Sequence, residues 1–287
     1  MRRRRLRSLP TSWDVSTISR IYLSRSERRT MAPNESEGGG KRVKAVMRSY
    51  RVIGVLREQG TVRINDVADA LGVPTSTAHV HLKTLEAAGY VVKDEHGYRL
   101  GLRFLRDGSI TRGRLDVYGA SRSEIKDLAE STGEVANLGV EENGQRVIVY
   151  QAEGDKAVYD NAPIGEFTHM HWTALGKAIL AELPGERVTE IVDEYGLPTK
   201  TNHTISDRDA LLEELETIRE RGYALEDEER RDGIRSIAVP LVSDGSVIGA
   251  VSLSGPKERF NDDRIVDELF PALRDRKNVI EVKYAYD

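Results

Sequence analysis

Apolar and polar positions recur with two different periods along this chain, and each change of period marks an element. From Lys41 to Gln59, Val43, Val46, Met47, Tyr50, Ile53, Val55 and Leu56 recur at helical spacing, which predicts an amphipathic first helix. Residues 64–71 have the length of a short helix with Val67, Ala68 and Leu71 on one side; Gly72 stops it and Val73-Pro74 makes a tight connection. Thr75-Ser76-Thr77, residue types suited to capping exposed backbone N–H groups, then open a second helix that runs towards Gly89 with Ala78, Leu82 and Leu85 inward. Tyr90–Lys93 and Tyr98–Arg103 alternate at strand period around Asp94-Glu95-His96-Gly97, and Thr61-Val62-Arg63 is a brief strand able to join them. Helix, turn, helix and hairpin make a winged helix-turn-helix, whose protruding second helix fits the major groove of B-DNA.

Beyond the hairpin, Arg106 to Glu130 reads as one connecting helix. Its stripe of Ile110, Leu115, Val117, Tyr118, Ile125 and Leu128 is narrow, which suits a packing or dimer seam. Strands and helices then alternate. Glu134–Glu141 and Gln145–Ala152 form a hairpin around Glu142-Asn143-Gly144, and Ala157–Tyr159 is a short strand. Ala174–Leu183 is a helix ended by Pro184, and Glu186–Tyr195 and Asp207–Gly222 are two more. Tyr223–Leu225, Ile234–Leu241 and Val247–Ser254 are strands, the last two joined by Asp244-Gly245, and Asp262–Lys283 closes the chain as a helix. The expected fold class is α+β with a mainly antiparallel sheet, not a dinucleotide-binding pattern.

Length and charge refine this picture. At 287 residues the chain holds two domains, each with its own core. The net charge of −4 conceals a division: residues 41–105 carry 11 Lys/Arg against 6 Asp/Glu, and residues 106–287 carry 23 against 37. The basic part coincides with the helix-turn-helix, where DNA phosphates need neutralising; the acidic part offers no broad nucleic-acid face. The expected domains are therefore a leader over 1–40, a winged helix-turn-helix over 41–105, and a linker helix with a second domain over 106–287. Residues 1–30 do not resemble a folded element; Met31 opens a polar, Gly-rich leader that looks like a natural amino terminus, and the alternative is a basic arm touching DNA. The chain has no cysteine, no apolar run of about eighteen residues and no evident secretory signal, so a cytoplasmic protein is expected.

The candidate DNA-facing residues are Thr75, Ser76, Thr77, His79, His81 and Lys83 on the second helix, with His96 and Arg99 in the wing. Short hydroxyls and imidazoles at a helix start take phosphate or base contacts. The plain alternatives are that Thr75 only caps and that one histidine packs against the wing. Other motifs carry less. Gly176-Lys177 is no phosphate loop, because the earlier glycine position is His171. His169 and His171 alternate as on a strand, and with His203 could bind zinc, but two histidines so spaced more often line a surface or pocket. The acidic run Glu226–Glu229 with Arg230-Arg231 lacks a nucleophile–base pair or cofactor fingerprint, so no catalytic residue, metal or cofactor is assigned. A small-acid enzyme and a non-specific DNA-architectural protein are the competing readings.

The chain resembles the IclR family of transcriptional regulators from about Val43 to the C-terminus. The resemblance rests in the head on Leu71-Gly72, Pro74, Ser76-Thr77, Leu82, Leu85, Ala88-Gly89-Tyr90 and Tyr98-Arg99-Leu100-Gly101. Further on it rests on Ala174-Leu175-Gly176-Lys177-Ala178, Thr201 to Ile205, Gly222-Tyr223-Ala224, Glu229, Gly233, Ile237-Ala238-Val239-Pro240 and Ser252-Leu253-Ser254-Gly255-Pro256. It implies a GAF-like effector-binding domain, a homodimer or dimer of dimers, a double-stranded DNA operator, and control by a small molecule such as a carboxylate or sugar derivative. By the same analogy the effector pocket involves Thr173, Ala174, Leu175, Glu228, Glu229, Ile237, Val239, Ser252 and Ser254. Its chemistry is plausible, since N–H groups at a helix start favour an anion, and Ser252 and Ser254 alternate onto one strand face. One departure is His79-Val80-His81, where many members carry a basic residue, so an operator sequence does not transfer.

Overall fold

The structure, a computed structural model, describes residues 42–158 and 162–286. The leader expected over 1–40 lies outside the described residues. The chain separates into two compact units, with the division between Gly101 and Leu102.

The first unit contains α1 (Lys44–Gln59), α2 (Ile64–Leu71), α3 (Thr75–Ala87), β1 (Val91–Lys93) and β2 (Tyr98–Leu100). Its small core joins Val52 and Leu56 to Val67, Ala68, Ala78, Leu82, Val91 and Tyr98. Of the apolar positions expected to bury α1, Val43, Val46 and Tyr50 are exposed, since among the described residues no element covers its first two turns. Gly72 ends α2 in the left-handed region at φ 63°, where its N–H bonds the carbonyls of Ala68 and Asp69, a conformation a Cβ would strain. Pro74, not a hydroxyl residue, caps α3: its carbonyl accepts from the Thr77 and Ala78 N–H groups, and no side-chain cap forms. Val62 exchanges two backbone hydrogen bonds with Tyr98, at 3.0 and 2.8 Å, and so extends the wing by one residue.

The second unit opens with two helices where the periodicity suggests one, α4 (Arg103–Gly113) and α5 (Asp116–Thr132). Leu115 is extended between them at φ −86°, ψ 108°. Gly108 and Gly113 weaken α4, which buries nothing; the stripe of Val117, Ile125 and Leu128 belongs to α5 alone. There follow β3 (Val135–Glu142), β4 (Gln145–Glu153), β5 (Phe167–Thr168), α6 (Ala174–Glu182), α7 (Gly185–Tyr195), α8 (Arg208–Arg221), β6 (Ala224–Asp227), β7 (Ile234–Ser243) and β8 (Ser246–Pro256). A π-turn at Ile265–Leu269 then leads into α9 (Phe270–Tyr286). The strand expected over Ala157–Tyr159 is absent at Ala157 and Val158, and Tyr159 lies outside the described residues; Phe167-Thr168 pairs with β4 instead.

The strands form one six-stranded sheet in the order β5-β4-β3-β8-β7-β6, antiparallel throughout. Because strand side chains alternate, the sheet has two characters. On one face α5 and α9 pack over Ala136, Leu138, Val147, Ile237, Val239, Leu241, Val251 and Leu253. On the other, α6 packs over Ile148, Ala238 and Ala250, with α7 and α8 outside it. The start of α6 sits so close to the preceding loop that a Cβ on Gly176 would stand 2.1 Å from the Met170 carbonyl oxygen.

Candidate functional site

Two surfaces carry chemistry, one in each unit. On α3 the residues Thr75, Ser76, His79, Val80, Lys83 and Thr84 are exposed and form one stripe, while Thr77 is half-buried. In the middle of that polar stripe, Val80 is 62% exposed. Lys83 pairs with Glu86 at 2.8 Å, which holds its ammonium above the usual lysine range. In the wing His96 and Arg99 are exposed, and Asp94 binds the Arg99 guanidinium at 3.3 Å.

His81 is not on this surface. It is buried, with Nδ1 2.9 Å from the Ser49 hydroxyl of α1. The signal was in the spacing: 78, 81, 82 and 85 fall on one side of a helix, so His81 shares the face of Ala78, Leu82 and Leu85.

The second surface is a pocket between the sheet and the first turn of α6, with about 320 Å³ of empty space including its open mouth. Thr173, Ala174, Leu175, Ser252 and Ser254 line it. Thr173 caps α6 by accepting from the Gly176 N–H at 3.0 Å, which anchors the helix start over the strands. Ile237 and Val239 are not in the pocket. Register explains it: Ile237 pairs with Leu253 and Val239 with Val251, and cross-strand partners share a face, here the one under α5 and α9. The pocket face of β7 is carried by Ser236, opposite Ser254.

Glu228 and Glu229 also fall outside the lining. Glu228, at φ 60°, turns to Lys257 and the Gly233 N–H, and these hold its carboxyl below the usual range. Glu229 is buried against Lys177, 2.5 Å from its Nζ; Glu214 lies 3.3 Å from the same ammonium. Burial pushes the Glu229 carboxyl up, against the pull of Lys177. Thr201 and Thr204 donate to the Glu228 and Glu229 carbonyls at 2.7 and 2.6 Å, so the acidic run is pinned in place. The acidic residue that does face the pocket is Glu226, with Arg230 3.9 Å away.

Sequence reasoning missed Asn137 and Arg146 altogether. Asn137 Nδ2 lies 3.5 Å from both serine hydroxyls, and its Oδ1 accepts from Gln151 at 2.8 Å. Arg146 is 2% exposed, with Nη2 3.1 Å from Glu166. Burial disfavours its charged form; Glu166 supports the charge and the neighbouring Arg230 opposes it. A single arginine in an alternating strand reads as outward-facing, and only the placement of β5 and Glu166 beside β4 reveals otherwise. His169 and His171 join Trp172 in a ring cluster, and His171 Nε2 lies 3.1 Å from the Pro198 carbonyl. Among the described residues no group of three or more His, Asp or Glu is placed to hold a metal.

A winged helix-turn-helix carried with a pocketed, antiparallel α+β unit defines a two-domain DNA-binding regulator. The chain belongs to the IclR family of transcriptional regulators. Residues 45–95 match the IclR helix-turn-helix domain, and residues 111–281 match the bacterial transcriptional regulator IclR C-terminal domain. It is 33% identical to the HTH-type transcriptional regulator XynR of Escherichia coli over 77% of this chain and 89% of that protein. It is 31% identical to the HTH-type transcriptional repressor AllR of Escherichia coli (84% and 91%), and 32% identical to the probable HTH-type transcriptional regulator ArcR of Halobacterium salinarum (86% and 96%). Among solved structures, the Thermotoga maritima IclR superposes with a TM-score of 0.73 at 26% identity, over 85% of this chain and 99% of that one. The inducer-binding domain of an Acinetobacter PobR double mutant, solved with 3-hydroxybenzoic acid, superposes at 0.52 and 27% identity over 57% and 96%. The family and these relatives are regulators rather than enzymes, and among the described residues no helix is long and apolar enough to cross a membrane.

Proposed function

We propose that this chain is a cytoplasmic, sequence-specific DNA-binding regulator whose affinity for its operator is set by a small metabolite, serving a catabolic pathway. The exposed stripe of α3 carries the reading: hydroxyls, an imidazole, an ammonium and one aliphatic side chain stand where none of the described residues covers them. Thr75, Ser76, Thr77, His79 and Lys83 would contact DNA from the major groove, with His96 and Arg99 on phosphates or the minor groove. Val80 offers no hydrogen bond, and its partner on a base edge would be a thymine methyl group. A homodimer, or a dimer of dimers, would set two such helices into half-sites about one helical turn, roughly 34–36 Å, apart or a multiple of it. The metabolite would bind the 102–287 unit and favour one of two states that differ in operator affinity.

Selection of bound duplexes from a random pool, followed by binding titrations at fixed salt, tests this. The selected site should bind roughly a thousandfold or more tighter than a scrambled duplex. Equal affinity for both would leave only the non-specific DNA-architectural reading. On the selected site, V80A together with deoxyuridine in place of single thymines locates the methyl contact: the thymine it touches should matter to the wild type and not to the variant.

A further inference from the structure

The DNA-binding unit sets its own carboxylates against the basic groups it offers to DNA. Lys83 of α3 has its ammonium 2.8 Å from Glu86, Arg99 of the wing has Nε 3.3 Å from Asp94, and His96 Nε2 lies 3.4 Å from Glu95. Residues 41–105 hold 6 acidic side chains, and these three are half of them. Local structure does not require the charge. Asp94 Oδ1 accepts from the His96 and Gly97 N–H groups at 2.9 and 3.2 Å, a turn that asparagine makes equally well. Glu86 stands in the last turn of α3, where the helix dipole disfavours an anion and glutamine is as good a helix former. Stability does not require it either, because exposed ion pairs of this kind contribute little. On a surface that faces phosphates each carboxylate weakens binding, so its presence calls for a reason in recognition.

We propose that Asp94 and Glu86 are positioning residues that set specificity, by holding Arg99 and Lys83 away from phosphates until α3 has found its bases. This rests on the reading above of α3 and the wing as the DNA-facing surface. On arbitrary sequence the protein gains mainly from neutralising phosphates, and two occupied cations reduce that gain. At the operator, base contacts fix the register and bring phosphates up to both cations, which exchange one anionic acceptor for another. The exchange costs little because the pairs are exposed and weak. Asp94 is the better built of the two clasps. Its Oδ1 is tied to the turn and its Oδ2 accepts from the Arg99 Nε, while the Arg99 Nη1 donates to the Leu100 carbonyl at 3.3 Å. The His96 N–H above all, with Gly97 and Arg99 behind it, keeps the Asp94 carboxyl below its usual range and therefore anionic at neutral pH.

Anisotropy titrations of the full-length protein test this, on the selected operator duplex and a scrambled duplex, between about 50 and 200 mM salt. D94N keeps both backbone bonds of the turn and removes only the charge; E86Q does the same on α3. Each should bind the scrambled duplex roughly three- to tenfold tighter than the wild type and steepen its log–log salt slope by about one. Affinity for the operator should change by less than about twofold, so that the specificity ratio falls by the factor gained on scrambled DNA. In an R99Q background, D94N should no longer raise affinity for the scrambled duplex, because the cation it frees is gone. The assignment falls if D94N and E86Q leave the scrambled duplex and its salt slope unchanged. It falls equally if they strengthen both duplexes alike, or if D94N acts as strongly beside R99Q as alone, since either result is plain charge repulsion. A wild type that binds both duplexes equally overturns the sequence-specific reading itself; unchanged variants of a wild type that does discriminate overturn only the clasps.

Discussion

The two faces of the six-stranded sheet are made from alternate residues of the same strands, yet they do opposite work. Under α5 and α9, Ile237, Val239, Val251 and Leu253 form a dry layer without a polar side chain between them. Through the same backbone, Asn137, Arg146, Ser236, Ser252 and Ser254 present polar groups to a cavity. The dry face holds the unit together by excluding water from apolar area, and that lets the other face carry groups which contribute little to stability or oppose it. The difference teaches where to look for function: on the face where burial and polarity coincide.

The comparison can be broken most sharply at the buried ion cluster behind the pocket. Lys177→Met leaves Glu229 buried without its cation, and chemical denaturation at neutral pH should show a loss of about 3–5 kcal/mol. The deficit should narrow on acidification as Glu229 takes up a proton; an unchanged deficit would mean that lost packing, not lost charge, is responsible. On the dry face, Leu253→Ala should cost about 2–5 kcal/mol in the same experiment, and a loss under 1 kcal/mol would deny that face its supporting role.

The third test is a pH titration of stability. Burial holds the His171 imidazole neutral down to about pH 4, while a histidine in the unfolded chain binds its proton near 6.5. Between those values the unfolded state carries more protons, so this residue's contribution falls as pH falls through the window and is fully present above it. Acidification from pH 7 to pH 5 should remove roughly 1–2 kcal/mol that His171→Asn does not lose; parallel curves for the two proteins would exclude the effect. The smallest expected change is Ser252→Ala, about 1 kcal/mol or less in stability, because its partner Asn137 sits at 3.5 Å. A large loss there would make the wet face structural after all.

The head was legible in sequence to within a few residues, since α2, α3 and the wing are local elements announced by Gly72, Pro74 and alternating pairs. What failed there was orientation within an element: His81 reads as polar and therefore outward, although its spacing puts it with the core. The sheet was legible as strands and not as faces. Ile237 and Val239 were assigned to the pocket by analogy with the family, and only the register of β7 against β8 assigns each residue a side. Arg146 was invisible for a related reason, since its burial depends on β5 and Glu166, twenty residues away. Local chemistry can be read from neighbours in the chain; pocket membership is decided by neighbours in space.

The absence of a side chain at position 176 has an evolutionary reading. With the first turn of α6 set against the Met170 carbonyl, the roof over the pocket leaves no room for a side chain at that point. If the pocket takes a regulatory ligand, as proposed, new sensitivities would arise by exchanging small strand residues such as Ser236, Ser252 and Ser254 while the roof stays as it is. A library that diversifies those three positions should yield altered inducer preference, and one that diversifies Gly176 should yield misfolded protein.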